Sequence, residues 1–189
     1  DREAIRQTFG LDKPLWQQYA IFMSHALQLD FGKSFLTGQS AMGLILERMP
    51  ATLELACVAM LMAVLVGVPL GMLAGLRPAA LSSRGIMTGS VLGFSLPNFW
   101  VGLMLIMVFA VYLGWVPASG RGKTVLVGPL DLSVLTLDGW KRIILPALTI
   151  AIAKAALIIR VTRAATREAL PMDYIKFARA KGLSWSRIL

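Results

Sequence analysis

The sequence contains a single cysteine, Cys57, and a single histidine, His25. An internal disulfide bond needs two cysteines, and zinc sites and hydrolytic triads are built from Cys, His and acidic side chains that this chain supplies only sparsely. A lone cysteine in an apolar block is typical of a small packed side chain. We therefore expect no catalytic residue, no bound cofactor and no metal site in this chain.

Nucleotide-binding signals are absent as well. No Gly-rich phosphate-binding motif with its lysine occurs. The formal net charge is +9, but no aromatic-interleaved basic motif accompanies it. Nucleic-acid binding is therefore not expected, and the excess of basic residues needs another explanation.

Apolar residues dominate the composition of the chain. They make up 57% of the chain, against about 45–50% in soluble domains, and the mean hydropathy is +0.69. They fall in long uninterrupted blocks that predict an all-α polytopic membrane protein. We expect spans at about 53–76, 86–113 and 142–162.

The first span follows from the 22 uncharged residues between Leu55 and Leu76, compared with about 20 needed to cross the hydrocarbon core. Pro50 and Thr52 predict the start of its helix, with Glu54 in the first turn where the helix dipole favours an acid. Glycines recur every four residues on one face and predict a close helix contact, although apolar helices also contain glycine by chance. These glycines are Gly67, Gly71 and Gly75.

The second apolar block, Gly85 to Gly120, has 36 uncharged residues, too many for one straight span and too few for two with a turn. Pro97 cannot donate its backbone amide, and the amide side chain of Asn98 is costly in hydrocarbon. We predict a helix break over Ser95, Pro97, Asn98 and Trp100 that faces other helices or a translocation path. A simple proline kink packed among helices is the alternative.

The distribution of basic residues predicts the orientation in the membrane. Seven Lys or Arg and two acids lie between Arg160 and Arg187, whereas residues 1–50 balance five basic with five acidic residues. Basic residues favour the inner side, so we place residues 1–51 outside, with short amphipathic helices. Residues 121–142 form a second external loop, with possible strands or interface turns at 125–127 and 132–137. Lys154 is expected to extend its charge to the inner interface, and a charge that lines a transport path is the alternative.

The segment 172–189 follows the last apolar block. Its pattern predicts a helix, a stop at Gly182 and a new helix start after Ser184. Such an elbow on the basic side of a membrane can be bound by a soluble partner. A basic segment next to a membrane can equally be a topology signal that contacts lipid headgroups.

The sequence of this segment resembles a motif of a known family. Tyr174-Ile175, followed by Ala178-Arg179-Ala180-Lys181-Gly182-Leu183, is similar to the cytoplasmic coupling loop of the dipeptide/oligopeptide/nickel branch of ABC-importer permeases. Lys176 and Phe177 depart from the Glu-Ala-Ala of the wider superfamily but suit this branch. Two runs, Gly93 to Leu103 and Leu113 to Gly120, resemble the third span of the family and its external exit.

The resemblance implies the type I ABC-importer transmembrane fold, with three of an expected six spans in this fragment. It also implies a bacterial inner-membrane permease for peptides or a related solute that works by alternating access. ATPase coupling would involve Tyr174, Ala178, Arg179, Ala180, Lys181 and Gly182. The implied partners are a second permease subunit, two cytoplasmic ATPases that bind ATP and Mg, an extracytoplasmic solute-binding protein, and membrane lipid.

A membrane scaffold or receptor subunit is the rival interpretation, because it needs the same apolar spans and the same inner positive charge. It would use the basic segment to hold a cytoplasmic partner without transporting anything. A scaffold has no evident need for an intramembrane break, so the break at Pro97 and Asn98 together with the loop at Ala178 to Gly182 favours transport.

The predicted topology is testable by cysteine labelling in sealed vesicles after replacement of Cys57. A cysteine at position 84 should react only with a reagent applied from the inner side, because Arg77 to Arg84 is a short basic connection. Positions between 121 and 142 should react from the outer side. Labelling of position 84 from outside would overturn the orientation.

Overall fold

A computed structural model of the chain describes residues 13–34, 37–128 and 130–188. Two compact units are formed, Asp1–Pro50 and Ala51–Leu189. The elements in chain order are α1 (Leu15–Ala26), α2 (Ala41–Leu76), α3 (Leu81–Ser95), α4 (Asn98–Leu105), a π-helical segment (Ile106–Tyr112), β1 (Val125–Val127), β2 (Leu130–Leu132), α5 (Leu137–Ala169), α6 (Asp173–Ala180) and α7 (Trp185–Ile188).

The first unit contains one separate short helix in its described part. The carbonyl of Pro14 accepts bonds from the next turn at Gln17 and Gln18, and none of the residues of α1 is buried. The first part of the predicted external segment, residues 1–12, lies outside the described residues. The described stretch therefore contains one of the short helices that the sequence predicts, together with the first turns of α2.

The helix α2 begins at Ala41, earlier than the sequence predicts. The hydroxyl of Ser40 accepts a bond from the Gly43 amide at 3.5 Å, which supplies a cap before the run of good helix formers that follows. Pro50 and Thr52 consequently lie inside the helix. The predicted start at these two residues was wrong because an earlier cap was available.

The break in the second apolar block lies between Ser95 and Asn98. The helix α3 ends at Ser95, α4 begins at Asn98, and the pair is bent by 101°. Among the described residues, α2 and α5 are each long and apolar enough to cross a membrane, and this bent pair counts as a third crossing if it forms one span. The prediction of an all-α polytopic membrane protein is confirmed.

The turn between α2 and α3 is closed by a buried hydrogen bond. The hydroxyl of Ser83 donates to the carbonyl of Ala74 at 3.0 Å, and Ser83 is almost completely buried. A hydroxyl in this position satisfies one of the carbonyls that the end of α2 leaves unpaired. The bond holds the first turn of α3 against the last turn of α2.

A small antiparallel hairpin precedes the last long helix. Val125 pairs with Leu132 and Val127 with Leu130. The short strand predicted at 125–127 is present, whereas the second strand lies at 130–132 and not at 132–137. Residues after Leu132 leave the sheet because Ser133 to Thr136 form the turn that begins α5, in which the Thr136 amide donates to the Ser133 carbonyl.

The helix α5 is the centre of the second unit. Its cap is Thr136, whose hydroxyl accepts from the Gly139 amide at 2.9 Å. Both α3 and α4 pack against α5, and α2 lies against its alanine-rich face. The buried residues of this helix are Gly139, Ile143, Leu145, Ala147, Ala151, Ala155, Ala156 and Ile159.

Replacing Thr136 with Ala should destabilise the protein by about 1 kcal/mol, because the first turn of α5 loses its cap. The hydroxyl also donates to the Lys123 carbonyl at 2.8 Å, so the loop before the hairpin should loosen as well. Thermal unfolding of the purified protein in detergent is the measurement, with the exposed Thr88→Ala as control. Equal melting temperatures for the two variants would contradict the capping role.

Candidate functional site

The segment after α5 forms a compact helical elbow. A short turn separates the end of α5 at Ala169 from the start of α6 at Asp173. At its other end, α6 stops at Ala180, and Gly182 in the turn that follows has a φ of +76°. The Gly182 amide donates to the Arg179 carbonyl at 2.9 Å, and the Leu183 amide donates to the Ala178 carbonyl at 3.2 Å. This pair of bonds is a Schellman motif, which needs a left-handed residue and therefore favours glycine.

One face of α6 is held by the protein and another is open. Ile175 is buried, whereas Tyr174 and Phe177 are each 62% exposed. Lys181 lies one further turn along, with its ammonium 4.6 Å from the centre of the Phe177 ring. Tyr174, Phe177 and Lys181 are three and four residues apart, so they share one helix face. The elbow thus presents an aromatic and basic surface on an anchored helix.

The remaining predicted coupling residues border this surface. Ala178 is half-buried, and Arg179, Ala180 and Gly182 are exposed. A Cβ at Gly182 would meet no atom within 4 Å, so the constraint at this position is the backbone angle and not the space around it. After the turn, α7 begins at Trp185, and the Arg187 amide bonds the Ser184 carbonyl.

The three glycines of α2 lie directly against α5. A Cβ built on Gly67 would be 2.8 Å from a methyl of Ile158, and one on Gly71 would be 2.6 Å from Thr162. At Gly75 the same construction gives 2.6 Å to Thr166. Real Cβ atoms do not approach other carbons so closely. The glycine stripe therefore lets the two long helices come nearer than any other residue would allow.

The break residues border a different region. Asn98, the first residue of α4, lines a cavity of about 470 Å³ together with Gly102, Arg142 and Thr149. Pro97 precedes the helix with φ −61° and ψ 131°, and its carbonyl accepts the amides of Trp100 and Val101. Ser95 turns its hydroxyl back to the Val91 carbonyl at 2.8 Å. Trp100 is exposed and is not among the cavity residues.

A buried polar cluster at the start of α5 was missed by the sequence analysis. Glu54 is 7% exposed and accepts the Ser133 amide at 2.8 Å with one oxygen and the Ser133 hydroxyl with the other. The guanidinium of Arg121 lies 3.8 Å from the same carboxylate and also donates to the Asp131 carbonyl. Because α2 begins at Ala41, Glu54 lies well inside the helix. Its predicted role in the helix dipole was therefore wrong.

One sequence signal pointed to this cluster without identifying the partners. Glu54 is the acid that immediately precedes the 22 uncharged residues from Leu55 to Leu76. An ionisable side chain at the border of such a run needs a polar or charged partner in the protein. Ser133 is 79 residues away in the chain. A single sequence contains no spacing rule that connects two residues at that distance.

Apolar helices, a break between two helices and an elbow with an exposed aromatic and basic surface are the features of a multi-pass membrane protein. The family model described as "Binding-protein-dependent transport system inner membrane component" matches residues 67–189. The chain belongs to this family. The assignment to the peptide branch of ABC-importer permeases that the motifs indicated is confirmed, and with it the type I fold.

Curated relatives are similar along nearly the whole chain. The di/tripeptide transport system permease protein DppB of Pseudomonas aeruginosa (strain UCBPP-PA14) is 42% identical over 99% of this chain and 59% of its own length. The oligopeptide transport system permease protein AppB of Bacillus subtilis (strain 168) is 38% identical over 100% of this chain and 58% of its own length. The glutathione transport system permease protein GsiC of Escherichia coli (strain K12) is 38% identical, over 96% and 54% respectively. The chain thus spans somewhat more than half the length of these relatives.

Replacing Gly71 with Ala should destabilise the helix pair by about 1–3 kcal/mol, because the added methyl overpacks the contact with Thr162. The matched control is Gly89→Ala on α3, where a Cβ meets nothing within 4 Å and alanine should stabilise the helix slightly. The melting temperatures of the two purified variants in detergent are compared. A Gly71→Ala protein that melts at or above the control would show that the close approach is not required.

Proposed function

We propose that this chain is part of a permease subunit of an ATP-driven, binding-protein-dependent importer in the bacterial inner membrane. The subunit contributes the translocation path for peptides or a related small solute and works by alternating access. The observation that carries the proposal is the anchored elbow at the end of α5, which joins an exposed aromatic and basic face to a Gly182 turn. Membership of the transport family and the names of the relatives support the proposed substrate class.

The partner on the elbow would be a cytoplasmic ATPase. Tyr174 and Phe177 supply exposed aromatic area, which is well suited to fill a pocket on another protein. Lys181 can meet acidic groups there, and Ala178 and Ala180 allow close approach. Two such ATPases bind ATP and Mg, and the permease itself carries out no bond chemistry.

The direct link from the elbow to α5 supports a mechanical role. Only a short turn separates α6 from the long helix against which α2, α3 and α4 are arranged, so a displacement of α6 is transmitted to the centre of the bundle. Closure of the ATPase pair would move α6, and the helices around α5 would open the path toward the outside. A second permease subunit would form the other wall, and an extracytoplasmic solute-binding protein would deliver the solute.

The break near Asn98 supports transport over a static scaffold. An amide side chain at the start of α4 lines a cavity of about 470 Å³ that also contains Arg142 and Thr149. A proline-interrupted helix beside such a cavity is tolerated in a membrane where the backbone lies against protein or water. In the proposed mechanism this bent pair is part of the wall of the path.

The proposal is tested by a graded series at Gly182 in the complete importer, reconstituted in proteoliposomes with its binding protein. Val at a φ of +76° is strained by about 1–3 kcal/mol, so Gly182→Val should redirect the elbow. Uptake should fall at least tenfold while the subunit remains in the membrane. Asn tolerates this conformation better than most residues, so Gly182→Asn should keep most of the activity.

Gly114→Val is the matched control, because Gly114 also has a positive φ, of +62°, and open space around it. Uptake of a radiolabelled dipeptide, a radiolabelled tripeptide and radiolabelled glutathione is measured together with ATP hydrolysis. An Arg179→Glu variant should impair the same coupling by reversing charge on the docking surface. Unchanged uptake and coupling in both Gly182→Val and Arg179→Glu would refute the elbow as the ATPase contact.

A further inference from the structure

Glu54 is a buried carboxylate in a helix that is long and apolar enough to cross a membrane. A charge in such a position is costly unless it is hydrogen-bonded and paired. Ser133 bonds both carboxylate oxygens, once through its amide and once through its hydroxyl, and the Arg121 guanidinium lies 3.8 Å away. Both carboxylate oxygens of this acid thus bond Ser133, which lies in a segment remote in sequence.

That segment is the start of α5. The Ser133 carbonyl accepts the Thr136 amide at 3.0 Å, and Thr136 caps the helix through Gly139. Gly139 is packed so tightly against the Ser133 carbonyl that a Cβ would overlap it. Glu54 therefore fixes the first turn of α5 to α2, and through Arg121 and the Asp131 carbonyl it also fixes the hairpin β1–β2.

Close packing continues along α2 and α5 from this cluster to the opposite end of the pair. Small and aliphatic residues follow first, in two buried clusters that contain Ala59 with Ala147 and Ala63 with Ala151. The glycine stripe against Ile158, Thr162 and Thr166 follows next. From Glu54 to Gly75 the helix rises about 31 Å, close to the thickness of the hydrocarbon core.

The opposite end of α5 leads into the elbow through a bonded turn. Three backbone amides donate to backbone carbonyls along this turn: Leu170 to Thr166 at 3.1 Å, Met172 to Ala169 at 3.0 Å, and Ile175 to Met172 at 3.1 Å. Ile175 itself is buried. The described residues therefore form a continuous path of bonded and packed groups from α6 to the hairpin, and the Glu54 cluster is its last connection.

We propose that Glu54 is a positioning residue that clamps the start of α5 and the hairpin β1–β2 to α2, so that the helix pair moves as one rigid body. The inference rests on the proposed function, since it gives the clamp a role in passing the movement of α6 to the hairpin end. Without the clamp, α5 can shift relative to α2 at that end. ATP hydrolysis then continues while the movement that opens the path is lost.

Two variants remove the clamp to different extents. Glu54→Gln keeps the shape and one acceptor but loses the charge, and Ser133→Ala removes the hydroxyl while keeping the amide bond. The control is Glu47→Gln, an exposed acid on the same helix. The complete importer is reconstituted in proteoliposomes, and the coupling ratio is measured as molecules of radiolabelled tripeptide taken up per ATP hydrolysed. This ratio should fall about tenfold for Glu54→Gln, as expected for a lost hydrogen bond to a charged group. The Ser133→Ala variant should show a smaller loss, and Glu47→Gln none.

A distance measurement tests the clamp without relying on uptake. Spin labels are placed at Leu126 in the hairpin and Leu61 on α2, both exposed, in the complete importer with Cys57 replaced by Ser. The distance distribution should be narrow with Glu54 and Ser133 intact, and broad in Glu54→Gln. Glu47→Gln should leave it narrow.

The outcomes separate the two proposals. Narrow distributions and an unchanged coupling ratio in both Glu54→Gln and Ser133→Ala would overturn the clamp while leaving the transport function intact. An unmodified importer that takes up none of the tested solutes, yet shows broadening on Glu54→Gln, would support the clamp and count against the proposed function. Failure of both clamp variants to assemble, with Glu47→Gln assembling normally, would assign the cluster to folding and also overturn the proposal.

Discussion

The close approach of α2 and α5 is the constraint on which the rest of the second unit depends. In a membrane there is no hydrophobic driving force between helices, so their association relies on close van der Waals contact and on hydrogen bonds. Three glycines on α2 and a run of alanines on α5 provide that contact. The helices α3 and α4 pack on α5, and α6 follows it in the chain. The helices α3, α4 and α6 are thus positioned by one tightly packed pair.

Polar groups complete this arrangement where the apolar helices end or bend. The Ser83 hydroxyl closes the turn at one end of α2, and Glu54 holds the first turn of α5 near the other. Arg142 bridges the Ser119 carbonyl at 2.8 Å and the Asp138 carboxylate at 3.3 Å. Ser83 and Glu54 are buried, so their polar groups need protein partners in place of water. The polar residues therefore define the connections, while the glycines and alanines define how close the helices come.

The elbow after α5 shows how far local sequence reasoning extends. A positive φ at Gly182 and a helix start after Ser184 follow from short-range rules, and the structure has both. The start of α2 does not follow in the same way, because Pro50 and Thr52 predicted a later start, whereas the helix begins at Ala41, directly after Ser40. The second strand was also misplaced, since the turn that begins α5 uses the residues after Leu132. In both cases a second local signal, the Ser40 cap or the turn at Ser133 to Thr136, set the boundary of the element.

The sequence alone determined that this is an apolar, helical, multi-pass protein of a transport family, because hydropathy, glycine spacing and short motifs are local properties. It also located the break at Pro97 and the turn at Gly182, where one residue type dictates the backbone. Only the tertiary structure decided which helices the glycines face and which partner Glu54 has. Those contacts join residues that are far apart in the chain, 79 positions in the case of Glu54 and Ser133, and they exist only once α2 and α5 are packed together.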